Sequence, residues 1–332
     1  MIELSAGDRG AMLRAAVAAP SMHNTQPWRF RFHGGEVEVY RDRSRELPAE
    51  DPDRRMLFLS LGAAIFNLRV EAAARGYGSR VRHLMDQRRP DLVAVVELSA
   101  EHSDRLELLA PYVVHRRSNR EPFSAERLPG QLRAELGLSA RIEGAELQWI
   151  DKPGRRWWLR LAINDAAAAD DEDEARTAER RLWVGGERDA DGVPSSALGP
   201  RVAGGNAVVR ELGATEADLA RPVADFEPEP QLAVLVTRRD GPIEWLRAGQ
   251  ALERVLLEAT ARGVATSLLN QAIEHEELRT QVTDPLGPWL RPQAVIRFGY
   301  GPRVPPTPRR PLADIVVPDD PAAGDGTGGP EQ

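Results

Sequence analysis

Cysteine is absent from the 332 residues. That absence excludes disulfide frameworks, thiolate metal sites and cysteine nucleophiles together, and it suits a reducing compartment. A basic excess is absent too. The 44 Lys+Arg stand against 51 Asp+Glu, a formal net charge of -7, so the footprint of a dedicated nucleic-acid binder is missing. No apolar run is expected to reach the roughly 18 residues of a membrane-crossing helix. Met1 to Asp8 shows neither a basic nor an apolar leader region, so a cytoplasmic location without a signal peptide is expected. The histidines (His23, His33, His83, His102, His115 and His275) show no His-Glu-x-x-His spacing, which disfavours a zinc enzyme. There is no Gly-x-Ser-x-Gly elbow and no Walker-type loop. Gly76-Tyr77-Gly78 follows a helical pattern, so it lacks the strand context of a dinucleotide fingerprint. The chemistries that remain need a cofactor.

What is present is ordinary for a folded chain. Hydrophobic residues make up 42% and charged residues 29%, enough for a sizeable core, and the length suits two domains or two repeats. The spacing predicts a helix from about Asp8 to Ala19, stopped by Pro20. Alternating strands over Trp28–Phe32 and Val37–Tyr40 follow, joined through Gly34-Gly35 as a hairpin. A long apolar helix is expected from about Arg55 to Ala74, with Gly76 past its end, and a strand from Leu92 to Leu98.

This arrangement recurs at an offset of 187. Leu59, Gly62, Ala64, Glu71, Ala72, Ala74, Arg75 and Gly76 correspond to Leu246, Gly249, Ala251, Glu258, Ala259, Ala261, Arg262 and Gly263. β-rich runs flank both helices, Leu232–Val236 and Ala294–Phe298 in the second copy. Two domain-sized halves are therefore expected rather than a solenoid. The second half carries extra chain over about 164–222, opening with Asp170-Asp171-Glu172-Asp173-Glu174, read as a solvated helix face. Residues 319–332 lack periodicity and read as a disordered tail. Trp157 and Trp158 read as helix-packing residues, His275 as an exposed helix residue, and His23 as a structural loop residue.

Two segments carry candidate chemistry. Pro20-Ser21-Met22-His23-Asn24-Thr25-Gln26-Pro27-Trp28 gathers hydroxyl, amide and indole groups that suit a flat polar heterocycle, although Ser and Asn also serve simply to stop a helix. His115-Arg116-Arg117-Ser118-Asn119-Arg120-Glu121 places three guanidiniums and a hydroxyl where they suit a phosphate, while Ser118 with Glu121 also reads as a capping box.

The first segment resembles the Pro-Ser-x-x-Asn-x-Gln-Pro-Trp signature of FMN-dependent nitroreductases, and Arg116, Ser118 and Arg120 resemble that family's Arg-x-Ser-x-Arg phosphate motif. Phe298-Gly299-Tyr300-Gly301 and Arg309-Arg310-Pro311-Leu312 resemble its closing strand and basic segment. The order differs from a conventional member, whose single chain carries the arginine motif ahead of the Pro-Ser loop and dimerises to combine them. Here the loop lies in the first half and the arginine motif opens the second, while Ser139–Glu143 lacks the loop signature. That arrangement resembles the Acg family of fused, pseudo-dimeric nitroreductase-like proteins.

The resemblance implies an α+β nitroreductase-like fold, with two tandem halves forming an intramolecular pseudo-dimer, each a mostly antiparallel sheet flanked by helices. It implies a first half over 1–109 and a second over 110–318, with the insertion as lid. FMN would be held by Arg116, Arg117, Ser118 and Arg120, with Arg309 or Arg310, and by Pro20, Ser21, Met22, Asn24 and Gln26. Leu268-Leu269-Asn270-Gln271 replaces the family's Glu-Gly pair beside the flavin, leaving Leu268, Asn270 and Gln271 at its edge. The implied activity is NAD(P)H-dependent, ping-pong reduction of an electron-poor small molecule, with no side-chain acid or base required. A closed flavin-sequestering protein is the alternative. A monomer is expected, with a homodimer possible, and neither nucleic acid nor membrane as partner.

Overall fold

The computed structural model describes residues 2–318 except 84, 85, 87, 101–104, 204–208, 214, 215 and 288. The expected tail over 319–332 and the Gly204-Gly205 part of the expected insertion lie outside the described residues. Helix α1 (Ala6–Val17) starts two residues before the expected Asp8, because the Ser5 hydroxyl accepts the Asp8 amide and caps it. Strands β1 (Trp28–His33) and β2 (Glu36–Arg41) form the expected hairpin, with Gly34 at φ 55°. Helix α2 (Arg55–Ala74) ends where expected, and strands β3 (Gly78–His83) and β4 (Leu92–Ser99) complete an antiparallel sheet in the order β1-β2-β4-β3.

After the short α3 (Ala110–Val113) the plan repeats. Helix α4 (Gly130–Ile142) leads into β5 (Glu146–Trp149). The chain then leaves the sheet for α5 (Pro153–Glu172), α6 (Glu174–Trp183), β6 (Arg201–Val202), α7 (Glu216–Leu219) and β7 (Val223–Ala224). It returns as β8 (Gln231–Thr237), α8 (Pro242–Ala261), β9 (Ala265–Leu268), α9 (Gln271–Glu274), α10 (Glu276–Leu286), β10 (Arg291–Gly299) and α11 (Leu312–Ile315). The second sheet runs β5-β8-β10-β9, again antiparallel throughout, so both sheets place their strands in the same first-second-fourth-third order. Where β1 and β2 are joined by Gly34-Gly35, β5 and β8 are joined by residues 150–230, which contain the expected insertion.

Helices α2 and α8 pack against each other between the sheets. A β-carbon on Gly62 would sit 2.1 Å from the Leu246 carbonyl oxygen, and one on Gly249 would sit 2.0 Å from the Leu59 carbonyl oxygen. Since 59 and 62 match 246 and 249 at the offset of 187, each helix makes on the other the contact that it receives. That reciprocity is the mark of an isologous interface. Glycine is required here for close approach, not for φ.

Helix α2 corrects one expectation. By length and composition it could cross a membrane, with a mean hydropathy of 1.4, but 89% of that stretch is buried among α1, the first sheet and α8. It is uniformly apolar because it is covered on every side.

Three further expectations need correction. Trp157 and Trp158 are 58% and 49% exposed, with their rings edge-on at 4.8 Å. Helix α5 buries Leu159, Ala162, Ile163 and Ala166 at helical spacing, and the two tryptophans fall off that stripe. Asp170 is not solvated but buried, paired with Arg176 at 2.8 Å and Arg180 at 2.8 Å. His275 stands at the start of α10, with Nε2 2.8 Å from the same Asp170 carboxylate.

Candidate functional site

A cleft with about 1270 Å³ of space free of protein atoms, the solvent at its mouth included, opens between the halves. Its apolar floor comes from Met56, Leu59 and Ala63 on α2 and Leu252 on α8. The loop after α1 forms one wall. His23, Asn24 and Gln26 there hold left-handed φ of 47°, 57° and 53°, a concentration of backbone cost that is typical of a shaped binding loop. The Ser21 hydroxyl accepts the Gln26 amide at 3.0 Å. The Asn24 amide nitrogen donates to Gly192 O at 2.9 Å and Pro308 O at 3.0 Å, fastening the loop to the β5–β8 insertion and to the C-terminal segment.

The arginine segment forms the facing wall. Ser118 bridges to Thr266 in parallel, and the Asn119 amide donates to Thr266 O at 2.8 Å, so this stretch runs along β9 and the capping-box alternative is not realised. Arg116 donates to Ala18 O through Nη2 at 3.1 Å, and Arg309 donates to Ala18 O at 3.2 Å and to Asn24 Oδ1 at 3.1 Å. Arg117 donates only to Arg116 O, at 2.8 Å. Arg120 reaches Ala197 O of the insertion at 2.9 Å.

Among the described residues, Arg117, Arg120 and Arg309 have no carboxylate partner. Burial first, then repulsion from Arg116 and Arg117, lowers Arg309 to about 9. Burial and then Arg210 and Arg221 lower Arg120 to about 10. Arg117 is lowered by burial and by Arg116. These guanidiniums surround a space rather than one another's counter-ions, and a multiply charged anion is what relieves such a cluster.

Of the residues expected from the sequence, Pro20, Ser21, Met22, Asn24, Arg116, Arg117, Ser118, Arg120, Leu268, Asn270 and Arg309 all line this cavity. Gln26, Arg310 and Gln271 do not. Gln26 is buried behind the loop, donating to Ala190 O at 2.8 Å and accepting from the Arg310 amide at 2.9 Å. Arg310 pairs with Asp42 at 3.2 Å. Gln271 is buried at the start of α9. The Asn270 side-chain Oδ1 accepts the Val295 backbone amide at 2.9 Å, which ties it to β10.

Sequence reasoning missed Glu253, buried on α8 with Oε1 3.3 Å from Arg116 Nε. A glutamate between Leu252 and Val255 in an otherwise apolar helix face was the available signal. It also missed Glu50, which accepts from His23 at 2.5 Å and from Arg180 at 2.7 Å. Burial alone would raise Glu50, but the hydrogen bond and charge of His23, with Arg210 and Arg180, bring it down to about 2. Arg210 adds a bidentate pair to Glu274 at 2.7 and 2.8 Å, joining the insertion to α9.

The two like sheets and the cavity between them define a nitroreductase-like α+β fold. A crystal structure from Anabaena variabilis, described as "a putative nitroreductase", shares this fold with a TM-score of 0.55, covering 90% of each chain at 11% identity. No family model matches the chain. In sequence it is 29% identical over 311 residues to "Putative NAD(P)H nitroreductase Rv3131" of Mycobacterium tuberculosis, covering 92% of this chain and 90% of that one. It is 28% identical over 322 residues to "Putative NAD(P)H nitroreductase acg" of the same organism, covering 91% and 93%. Over nine-tenths of its length the chain is thus similar to proteins named as putative NAD(P)H nitroreductases, acg among them.

Proposed function

We propose that this chain binds one FMN in the cavity and reduces an electron-poor small molecule at the expense of NAD(P)H. The observation that carries the reading is the convergence of Arg116, Arg117 and Arg309 on the Pro20–Asn24 loop, where among the described residues Arg117 and Arg309 have no carboxylate partner and Arg116 has Glu253 behind it. The residues present fit the group. The guanidiniums and the Ser118 hydroxyl would hold its phosphate, and Met22, Asn24, Leu268 and Asn270 would border its ring over the apolar floor. Bound FMN would supply two-electron chemistry, accepting from the nicotinamide and giving to the acceptor in a ping-pong order. The protein's part is to anchor, to orient and to exclude water.

The halves 1–109 and 110–318 act in this reading as an intramolecular pseudo-dimer with a single composite site, working as a monomer in the cytoplasm. The repeated strand order and the reciprocal glycine contact support it.

One observation favours a second reading, a closed flavin-sequestering protein. The insertion is bonded to the cavity loop at Gly192 and Ala190, and Asp191 pairs at 2.8 Å with Arg45, which itself donates to Thr25 O of the loop. An anaerobic NADPH titration of the FMN-loaded chain, followed by its visible spectrum, separates the two. Bleaching of one flavin per chain supports the oxidoreductase. A bound flavin that NADPH leaves oxidised supports sequestration.

A further inference from the structure

Behind the arginine cradle stands a carboxylate that the proposed function does not use. Glu253 is fully buried, and neither of its oxygens makes a hydrogen bond of good geometry. A buried carboxylate left this way is costly and calls for an explanation. Arg116, Asn67 of α2 and Arg309 of the C-terminal segment are the polar and charged groups that act on it, and Leu252, Leu256 and Leu257 of its own helix are apolar. Arg254, its neighbour in sequence, is turned to Glu143 at 2.9 Å. Burial raises Glu253 to about 7, against the opposing pull of Arg116 and Asn67.

We propose that Glu253 is a positioning residue for the phosphate cradle: it steadies Arg116 from behind in the empty protein and takes up a proton when a phosphate dianion enters in front. The proposal rests on the FMN reading. Arg116 stands 3.3 Å from Glu253 on one side and lines the cavity on the other, so one guanidinium serves both anions. An incoming dianion withdraws part of that guanidinium's field and adds its own repulsion, and both changes favour the protonated acid. The proton comes from solvent and adds to a Glu253 oxygen; no other bond is made or broken.

The test is a calorimetric titration of the flavin-free full chain with FMN, in buffers of different ionisation enthalpy, on wild type and E253Q. Phosphate has its own proton near pH 6, and that contribution is common to both chains. Wild type is expected to take up about half a proton per FMN near pH 7 in excess of E253Q. Riboflavin, which lacks the phosphate, is expected to show no such excess. FMN affinity of wild type should fall as pH rises from 7 to 8.5, whereas that of E253Q should stay flat. E253D, which keeps a titratable group, is expected to restore part of the uptake and covers the case in which E253Q folds poorly. Equal proton uptake in wild type and E253Q, or the same excess with riboflavin, would overturn the proposal while leaving FMN binding intact. Absence of FMN binding to wild type would instead overturn the cofactor reading, and the proposal with it.

Discussion

The two halves share strand order, yet each lacks what the other gives to the cavity. After α1 the chain spends residues 18–27 on a loop that faces the arginines; after α4 only 143–145 separate helix from strand. At the matching helix end, Ala18 offers a carbonyl to Arg116 and Arg309, whereas Glu143 offers a carboxylate to Arg69 at 2.7 Å and Arg254 at 2.9 Å. The offset of 187 places Glu253 opposite Phe66, and both Arg69 and Arg254 lie over the Phe66 ring at 5.5 and 5.9 Å. One side is thus a cation cluster neutralised by its own chain. The other is a cation cluster left for an anion from outside. Duplicated geometry does not by itself make a site; the residues at the matched positions decide whether it closes on itself or stays open.

The strongest way to break the comparison is at the contact both halves share. Gly249→Val or Gly62→Val would drive a side chain into the carbonyl of Leu59 or Leu246. Either is expected to cost about 4 kcal/mol or more, beyond ordinary overpacking, because backbone rather than a flexible side chain stands in the way. Thermal denaturation checks this, and equal losses for the two variants would confirm that the contact is reciprocal.

Removing the internal anion comes next. Glu143→Ala leaves Arg69 and Arg254 facing each other and is expected to cost about 2 kcal/mol in chemical denaturation, less than a deeply buried pair because both arginines retain some access to water. Its FMN affinity should stay within a factor of about two. On the open side Arg309→Ala should do the reverse, weakening FMN binding by roughly 10- to 100-fold, the loss of one charge-assisted contact. Riboflavin affinity should change far less. A flavin fluorescence titration reads both.

The comparison also shows how much of this was legible in the sequence. The register 59, 62, 64 against 246, 249, 251 exposed the duplication because close helix packing holds 62 and 249 to glycine beside a matched pair of leucines. The cavity loop and the arginine segment were legible because polar turn residues and clustered cations have few purely structural uses together. Strands β3 and β9 were not read: β3 is Gly-Ser-Arg-Val-Arg-His with one face solvated, and β9 has four residues. Asp170 and His275 read as surface residues, and Glu50 was not singled out, since partners at 105 and 130 positions' distance cannot be seen in a local pattern. Glu253 was hidden by the same limit, because a lone carboxylate in a helix looks solvated until the helix facing it is known.

The last effect is the most diagnostic, because it reverses sign between the halves. Glu143 lies between two arginines, and its removal destabilises. Glu253 is held near 7, above the ordinary 4.5 of a glutamate. Between those values the folded chain holds a proton that the unfolded chain has released, so wild-type stability falls as pH rises through that window and then levels off above 7. Glutamine copies the protonated acid and has no such slope. Glu253→Gln is therefore expected to match flavin-free wild type near pH 5 and to exceed it above pH 7, by at most about 3 kcal/mol. Denaturant unfolding at pH 5 and pH 8 measures the difference. A variant less stable than wild type at pH 8 would mean that the ionised carboxylate adds net stability to the empty cradle, as Glu143 does on the closed side. The open site would then differ from the closed one in shape alone and not in charge.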